Sequence, residues 1–422
     1  MTQSPSARGM GRRDFLKSVA SAAIGVPLWL TLSSRAAWAK LPAGIKITKL
    51  KTFVVGNLVF VKVYTSEGVT GVGEGSFGGR ALTAAAAIDE HQRLLIGKDP
   101  TDIELLYQQM FRWPRTRGGP MVHCAISAID IALWDILGKL LDVPIYKLLG
   151  GAVRKRVRLY AHVQASTAEK IAERVGQVKE EGFTAVRSGL AFQRGNVVRR
   201  PWDLKHAVSL IQAMRDAAGK DVDLIDDAHG LLTPVMVREY AKAIEPCRLM
   251  FLEDPVQPEN IDGLKDLAKH TSVPLAIGES MYGKFQFKDV IARRLVSYVR
   301  PDAIRAGGIT ECRKVAAMAE GNFIDVSLHV APSPVSNLAA VHIAAAAPNC
   351  VIVENSGRPG LRPKWVEDLF MGGGIKIVNG YAALPEGAGL GCDLDEKVAA
   401  GHPYRPRDLP RIEYEDGSPS NW

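Results

Sequence analysis

Short apolar runs alternate with longer stretches of helical periodicity over the second half of the chain, from Val157 onward. A run of three to seven apolar residues is typical of a buried parallel strand, and apolar residues at every third or fourth position indicate an amphipathic helix. Eight such runs predict an α/β fold with a closed (β/α)8 barrel. An open doubly wound sheet is the alternative, but the glycine fingerprint for a dinucleotide is absent. The predicted strands are Val157–Val163, Thr184–Arg187, Val222–Asp226, Leu249–Leu252, Pro274–Ile277, Val296–Arg300, Ile324–Leu328 and Val351–Val353.

The region before the barrel has strands first and helices afterwards. Alternation of apolar and polar residues predicts an antiparallel meander between Ile45 and Gly75, and helical periodicity follows from Ala81 to Leu141. This order predicts an α+β domain. The predicted organisation is therefore a leader at 1–39, an α+β domain at 40–155, the barrel at 156–356 and a C-terminal segment at 357–422 that packs back on the first domain.

The first 39 residues have the pattern of an export signal. Arg12 and Arg13 precede an apolar run over 18–32, and a small-x-small pattern ends at Ala39. This arrangement is typical of a bacterial twin-arginine (Tat) signal that is cleaved near Ala39. A transmembrane anchor is the alternative, but the run contains Pro27 and is shorter than the roughly 20 apolar residues of a span. The sequence predicts a periplasmic protein that the Tat machinery exports in folded form, without a membrane anchor.

Composition narrows the class of protein and of partner. The chain is 47% hydrophobic and 23% charged, which is typical of a globular protein. Half of the net charge of +8 lies in the predicted leader, and basic runs with interleaved aromatic residues are absent, so we expect no nucleic-acid partner. The cysteines are odd in number and widely spaced, which favours buried thiols over a disulfide framework. They are Cys124, Cys247, Cys312, Cys350 and Cys392.

Six of the predicted barrel strands are followed by a polar residue that could carry chemistry. Consecutive members of this set are 23 to 27 residues apart, which is the length of one strand–helix unit. Because the carboxyl ends of all barrel strands meet at one mouth, these side chains should form a ring there, where barrel enzymes place their active sites. The six residues are Asp227, Glu253, Glu279, Asp302, His329 and Glu354.

Three acids on successive strands predict a metal site. Carboxylates that converge without a counter-charge repel one another, and their pKa values rise. A hard divalent cation relieves that repulsion, and all-oxygen ligation suits Mg²⁺, with Mn²⁺ as the alternative. A single acid at a strand end is more often a cap or an ion-pair partner, but equal spacing of Asp227, Glu253 and Glu279 favours metal binding.

Two histidines are candidate proton-transfer groups. His229 lies two residues beyond Asp227, so its side chain can point to the same face as that ligand. His329 and Asp302 end neighbouring strands, and an aspartate behind a histidine raises its basicity and fixes its tautomer. A histidine at a strand end is often only a polar cap, but this pairing favours a catalytic His329.

The motifs along the chain resemble one known family. They include Arg117-Gly118-Gly119-Pro120, Ala132-Leu133-Trp134-Asp135, Asp227-Ala228-His229-Gly230, Gly278-Glu279, Ala306-Gly307-Gly308-Ile309-Thr310-Glu311-Cys312 and Leu328-His329. From about Ile45 to Gly357 the chain resembles the mandelate racemase branch of the enolase superfamily. It is most similar there to galactonate dehydratases and related aldonate dehydratases. The resemblance implies that the first domain caps a modified TIM barrel, and we expect a homo-oligomer.

The resemblance also implies a role for each strand-end residue. The three acids would bind Mg²⁺, and His329, supported by Asp302, would remove the proton α to the substrate carboxylate. Glu354 would hydrogen-bond the enediolate oxygen, and His229 would protonate the departing β-hydroxyl. The reaction would be metal-dependent dehydration of a sugar acid, such as galactonate or gluconate, to a 2-keto-3-deoxy acid. Loss of the α-proton makes a dianion, so metal charge and a preorganised donor must stabilise it.

The second predicted strand departs from the family pattern. Racemases of this branch carry Lys-x-Lys where this chain has Arg187-Ser188-Gly189. Arginine stays charged and is a poor base, so two-base racemisation through that position is disfavoured. Arg187 is predicted either to bind the substrate carboxylate or to contact a metal ligand, with a structural salt bridge as the alternative. Arg80, in a glycine-containing loop of the capping domain, is a second candidate for substrate binding.

Two other functions remain compatible with the sequence. A sugar-acid epimerase of the same superfamily would use His229 and His329 as opposed bases. A periplasmic sugar-acid binder would keep the fold and lack turnover, although the full set of metal ligands, acid and base argues against it.

Overall fold

The computed structural model describes residues 41–115, 117–189, 197–198, 204–331, 333–355 and 363–420. The predicted signal at 1–39 lies outside the described residues, so its export role stays a prediction. Among the described helices, none combines the length and the apolar character needed to cross a bilayer.

The first domain is an antiparallel meander covered by helices. Gly71 and Gly73 of the third strand face Ala132 and Ala128 of the long helix, where a β-carbon would collide with the helix carbonyl oxygens. Small residues on both sides therefore let this helix lie directly on the sheet. The elements are β1 (Ile47–Val55), β2 (Leu58–Thr65), β3 (Thr70–Glu74), α1 (Ala81–Leu95), α2 (Ile103–Arg112) and α3 (Pro120–Leu141).

Eight parallel strands form the barrel, and the last pairs with the first to close it. Every predicted run corresponds to one of these strands, so the predicted barrel class is confirmed. One further strand, Val197–Val198, comes between the second and third barrel strands in the sequence but belongs to a separate two-stranded sheet. The strands are β4 (Arg156–His162), β5 (Ala185–Gly189), β6 (Val197–Val198), β7 (Asp223–Asp227), β8 (Phe251–Glu253), β9 (Leu275–Ile277), β10 (Tyr298–Val299), β11 (Asp325–Leu328) and β12 (Cys350–Asn355).

Side chains fill the barrel interior and helices surround it. Tyr160, Ile225, Phe251 and Ile352 belong to one fully buried cluster contributed by different strands, so the barrel is a packed core rather than a pore. The helices are α4 (Ile145–Leu148), α5 (Ala168–Glu180), α6 (Leu204–Ala218), α7 (Pro234–Ile244), α8 (Ile261–His270), α9 (Gly283–Ala292), α10 (Gly308–Glu320) and α11 (Pro334–Ala346).

Local sequence explains where several of these helices begin. The side chains of the residues that precede α5, α7, α8 and α11 each accept a hydrogen bond from the backbone N–H three residues later, which satisfies a donor that the first helical turn leaves free. These capping residues are Thr167, Thr233, Asn260 and Ser333.

The C-terminal segment contacts both domains. Glu396 accepts hydrogen bonds from Lys51 Nζ (2.6 Å) and the Tyr64 hydroxyl (2.5 Å), and Phe370 packs edge-on against Phe60. The strand Tyr381–Ala383 also extends the sheet beside β4, and the strand Glu413–Tyr414 pairs in parallel with β6. The sequence did not predict these two contacts with the barrel domain. The elements are α12 (Lys364–Asp368), β13 (Phe370–Met371), β14 (Ile377–Val378), β15 (Tyr381–Ala383), β16 (Asp393–Leu394), α13 (Glu396–Ala400) and β17 (Glu413–Tyr414).

The cysteines are confirmed as buried thiols. All five are free and buried in the described part of the chain.

Candidate active site

Three acids from successive barrel strands converge at the mouth. Asp227 and Glu253 end β7 and β8 as directly paired residues, and Glu279 follows β9 by two positions. One carboxylate oxygen from each residue lies within 4.8 Å of those of the other two. Asp227 and Glu253 are fully buried and Glu279 is partly exposed, so the cluster opens to one side. This all-oxygen donor set, with one open side, fits a hard divalent cation.

Two buried arginines pair with the same carboxylates. Arg187, in the middle of β5, forms an ion pair with Asp227, and its Nε lies 3.4 Å from Glu253 Oε2. Arg300 places one guanidinium nitrogen 2.7 Å from Glu253 Oε1 and 3.0 Å from Glu354 Oε2. Burial lowers the pKa of each arginine, but the surrounding carboxylates outweigh it and raise the pKa. Arg187 thus contacts two predicted metal ligands, which fits both the predicted contact with a metal ligand and the alternative of a structural salt bridge, and its binding of substrate stays a prediction.

Arg300 is a site residue that the sequence reasoning missed. Its side chain is completely buried and also donates to the Tyr160 hydroxyl (2.9 Å) and to Ser327 Oγ (3.3 Å). The only signal in the sequence is a charge at the end of an otherwise apolar strand run, directly before Pro301-Asp302. Arg300 therefore bridges Glu253, a predicted metal ligand, and Glu354 through two buried ion pairs.

Replacing Arg300 by Met should therefore destabilise the protein strongly. The change removes the buried cation that Glu253 and Glu354 share, and we expect the free energy of unfolding to fall by about 3–5 kcal/mol. Arg293→Met is the matched control, because the ion pair of Arg293 is with the exposed Asp262 and its loss should change stability by less than about 1 kcal/mol. Urea unfolding followed by circular dichroism measures both, and equal effects would contradict this account of Arg300.

His329 and Asp302 form the predicted dyad. His329 Nδ1 lies 2.7 Å from Asp302 Oδ2, and the other carboxylate oxygen accepts from the Ile304 backbone N–H (2.9 Å). Nε2 of His329 faces the acids, 3.4 Å from Glu279 Oε2. Burial by itself lowers the pKa of His329, but Glu354, Glu279 and Asp302 together raise it to about 9. The three carboxylates thus favour the protonated imidazole, which has to release that proton before Nε2 can act as a base.

His229 reaches the cluster from the opposite side of the barrel. It follows β7, four strands away from β11 in the ring of eight. Its backbone has a φ of 48°, its N–H donates to Asp227 Oδ1 (2.7 Å) and its Nε2 lies 3.0 Å from Asp227 Oδ2. Burial and, after it, the charge of Arg187 lower the pKa of His229. The two histidines therefore differ in the direction of their pKa shifts as well as in position.

Glu354 lies between His162 and Arg300. Its Oε1 is 2.8 Å from His162 Nε2, and its Oε2 accepts from Arg300. Although burial opposes ionisation, His329, His162 and Arg300 hold the pKa of Glu354 well below its ordinary value. An ionised carboxylate only accepts hydrogen bonds, so the predicted donor role toward an enediolate requires that Glu354 first takes up a proton. His162, at the end of β4, was not singled out from the sequence because it lies within the first apolar run.

A cavity of about 380 Å³ is lined by Glu279, one of the three acids, and by His229. Three parts of the chain line it: the capping-domain loop at Phe77 and Gly78, the barrel loops, and Leu409 of the C-terminal segment. Arg80 is exposed at the start of α1 and is not among the residues that line this cavity, so its role in substrate binding stays a prediction.

Arg305 is the cationic side chain that does line this cavity. Its Nε lies 3.4 Å from Asp302 Oδ2, one terminal nitrogen lies 3.4 Å from the Glu279 carbonyl oxygen, and the guanidinium sits 5.6 Å from the centre of the Phe77 ring. Its place three residues after Asp302 was the available signal in the sequence. No local pattern marked Leu409.

The chain is similar in sequence to known proteins over most of its length. Residues 31–150 match the mandelate racemase / muconate lactonizing enzyme N-terminal domain, and residues 170–398 match the enolase C-terminal domain-like family. A D-galactonate dehydratase from Variovorax paradoxus (strain S110) is 37% identical over 384 residues, covering 90% of this chain and 100% of that protein. A D-mannonate dehydratase from Caulobacter sp. (strain K31) is 35% identical over 407 residues, with the same coverage.

Solved structures are similar over the same range. A crystal structure of an enolase from Pantoea ananatis with bound D-gluconate and Mg has a TM-score of 0.82 and 30% sequence identity, covering 90% of this chain and 100% of that one. A crystal structure of a dehydratase-like protein from Zymomonas mobilis ZM4 has a TM-score of 0.80 and 33% identity, covering 84% of this chain and 98% of that one.

Proposed function

This chain belongs to the mandelate racemase and muconate lactonizing enzyme family of the enolase superfamily, and from that premise we propose that it is a hydro-lyase that dehydrates a sugar acid. The proposed product is a 2-keto-3-deoxy acid. The substrate class is an aldonate of the galactonate, gluconate or mannonate type, which is supported by the names of the relatives and by the gluconate in the Pantoea ananatis structure.

One arrangement carries this proposal. Two histidines approach a three-carboxylate cluster from opposite sides of the barrel, and one of them is held by an aspartate. Dehydration needs a base at the α-carbon and an acid at the β-oxygen, so two different proton-transfer groups on opposite sides suit it.

We propose that Asp227, Glu253 and Glu279 hold Mg²⁺, with Mn²⁺ as the alternative ion. A divalent cation there would supply Lewis-acid stabilisation of the negative charge that develops on the substrate carboxylate. Two arginines have a separate task, which is to offset the repulsion between the ligand carboxylates before the ion binds. Arg187 and Arg300 do this because each guanidinium pairs with at least one of the acids.

The chemical step is assigned to the two histidines. Nε2 of His329 accepts the α-proton while Asp302 holds the ring through Nδ1, and the C–H electrons form the enediolate. The β-carbon–oxygen bond then breaks, and His229 donates a proton so that the hydroxyl leaves as water. The resulting enol takes up a proton at carbon 3 and becomes the 2-keto-3-deoxy acid. A positioned acid or base contributes about 10²–10⁴-fold to such steps.

One experiment tests the function and distinguishes the proposed roles of the two histidines. Full-length protein with Mg²⁺ is screened against aldonates in D₂O, with semicarbazide detection of keto acid and NMR detection of deuterium at carbon 2. We expect keto acid from the wild-type protein. For His229→Asn we expect deuterium incorporation to continue while dehydration falls by about 10²–10⁴-fold, because only the acid is lost.

A second candidate function is epimerisation, which the opposed placement of the two imidazoles also allows. An epimerase would give deuterated isomers and no semicarbazide-reactive product in the same assay. Binding of aldonates without turnover of any kind would support a catalytically silent binder instead.

The predicted cell location is likewise a proposal. We propose that residues 1–39 direct Tat export to the periplasm and that the mature chain forms a homo-oligomer. N-terminal sequencing of the protein recovered from the periplasm tests export and cleavage. The molecular mass of the mature protein in solution tests the homo-oligomer.

A further inference from the structure

The last described part of the chain runs from the capping domain to the barrel mouth. We name residues 402–420 the C-terminal strap. At its start, Gly56 of the β1–β2 hairpin donates to the His402 carbonyl (3.0 Å) and accepts from the Arg405 N–H (2.9 Å). The His402 ring stacks on Trp365 with centroids 4.8 Å apart. These contacts fix the beginning of the strap to a loop of the capping domain.

The far end of the strap is fixed to the barrel. Ile412 is 5% exposed and forms a small buried cluster with Leu231, against which Tyr414 packs. Glu413–Tyr414 then pair in parallel with Val197–Val198, in the loop after the second barrel strand. Leu231 lies two residues after His229, so the buried contact of Ile412 acts on the turn that carries the proposed acid.

Between these two ends the strap forms part of the cavity wall. Leu409 lines the cavity together with His229, Glu279 and Arg305, and lies against Gly78 of the capping-domain loop. Like most of the strap, Leu409 is exposed (37%), and it lies at the cavity rim. An apolar side chain at this place offers a surface to the carbon chain of a sugar acid, whose hydroxyls can then face the polar wall.

We propose that the C-terminal strap completes the substrate site: Leu409 is a specificity residue that contacts the substrate chain, and Ile412, through Leu231, positions His229. This inference rests on the proposed function. The reactive end of the substrate must lie at Glu279 and His329, and the strap closes the cavity from the capping-domain side. Leu409 should therefore contact longer sugar acids and matter less for short ones.

The specificity claim is tested by chain length. With Mg²⁺ present, binding of D-gluconate and of the four-carbon acids erythronate and threonate is measured by calorimetry for full-length wild type and Leu409→Ala. We expect roughly tenfold weaker gluconate binding and less than about twofold change for the four-carbon acids, since a lost apolar contact in a pocket is worth about tenfold or more. Leu409→Met, which keeps the side-chain volume, should stay within about twofold of wild type for every acid.

The positioning claim has a different readout. For Ile412→Ala we expect dehydration to fall about tenfold or more while deuterium exchange at carbon 2 stays within about twofold, because Leu231, which Ile412 contacts, lies two residues after His229 and follows a different strand from His329. Tyr404→Ala is the control, since Tyr404 is an exposed strap residue outside the cavity wall and should leave both rates unchanged. Melting temperatures of all variants show whether the fold is retained.

Failure of the strap proposal differs from failure of the proposed function. If wild type turns over no sugar acid, the function is wrong, yet the calorimetric comparison still tests the Leu409 contact. If wild type is active and Leu409→Ala weakens all chain lengths equally or none, Leu409 does not set specificity. If Ile412→Ala lowers exchange and dehydration in parallel, the strap does not position His229.

Discussion

His329→Asn should abolish both deuterium exchange at the substrate α-carbon and dehydration. Nε2 of His329 is directed at the acid cluster while Nδ1 is held by Asp302 at 2.7 Å, so the imidazole is placed as the base of the first step. Asparagine keeps much of the polarity but accepts no proton. We expect kcat to fall by about 10²–10⁴-fold, which is the usual contribution of a positioned base.

Three further variants show whether the loss of exchange and dehydration is specific to His329. Asp302→Asn should lower both rates as well, because the amide no longer fixes the imidazole tautomer. His270→Asn, in an exposed pair with Asp266, should change neither rate. His229→Asn should keep exchange. Exchange that survives in His329→Asn and is lost in His229→Asn would reverse the assignment of base and acid.

Glu279→Gln should give the second large effect, on metal binding and activity together. Glu279 is the predicted ligand that is least committed to other partners, since Asp227 and Glu253 both pair with Arg187. Replacing it removes one charge from the cluster with little change in shape. Several kcal/mol of stabilisation of the developing charge depend on the cation, so we expect kcat/KM to fall by about 10³-fold.

Metal binding can be followed without the reaction. A ligand that binds only the folded state at 100 times its Kd raises stability by about 2.7 kcal/mol. We expect Mg²⁺ to raise the melting temperature of EDTA-treated wild type, and Glu279→Gln to need at least tenfold more Mg²⁺ for the same increase. Glu259→Gln, at an exposed acid, should match wild type. An unchanged Mg²⁺ response in Glu279→Gln would remove Glu279 from the ligand set.

Much of the fold could be predicted from local pattern. The eight apolar runs lie in the eight barrel strands because burial on both faces demands continuous apolar sequence, and this signal is local. The spacing of the six strand-end residues predicted which side chains share one end of the barrel, since closure of parallel strands brings all carboxyl ends together. The acids at 227, 253 and 279 and the His329–Asp302 pair follow from that rule.

The partners of these residues were decided by tertiary structure. Arg187 and Arg300 are distant in sequence from the acids they contact, and only strand register and barrel closure bring their guanidinium groups to Asp227, Glu253 and Glu354. Tertiary structure also decided whether Glu354 can donate a hydrogen bond. Its contacts with Arg300 and His162 help to keep the pKa of this carboxyl low, and an ionised carboxylate has no proton to donate. Sequence pattern reports burial and strand direction, but not which charge faces which.

The difference between what the sequence predicts and what the tertiary structure decides is clearest in the loop residues. Arg80 and Arg305 are both arginines in loops of a plausible site, yet only Arg305 lines the cavity. Leu409 carries no periodic or motif signal, because the strap around it is irregular and mostly exposed. The sequence by itself determined the barrel, its order of strands and the chemistry at their ends, because repeating units place equivalent positions alike. Only the tertiary structure decided what covers the barrel mouth, because loop and strap contacts depend on segments that meet across long stretches of chain.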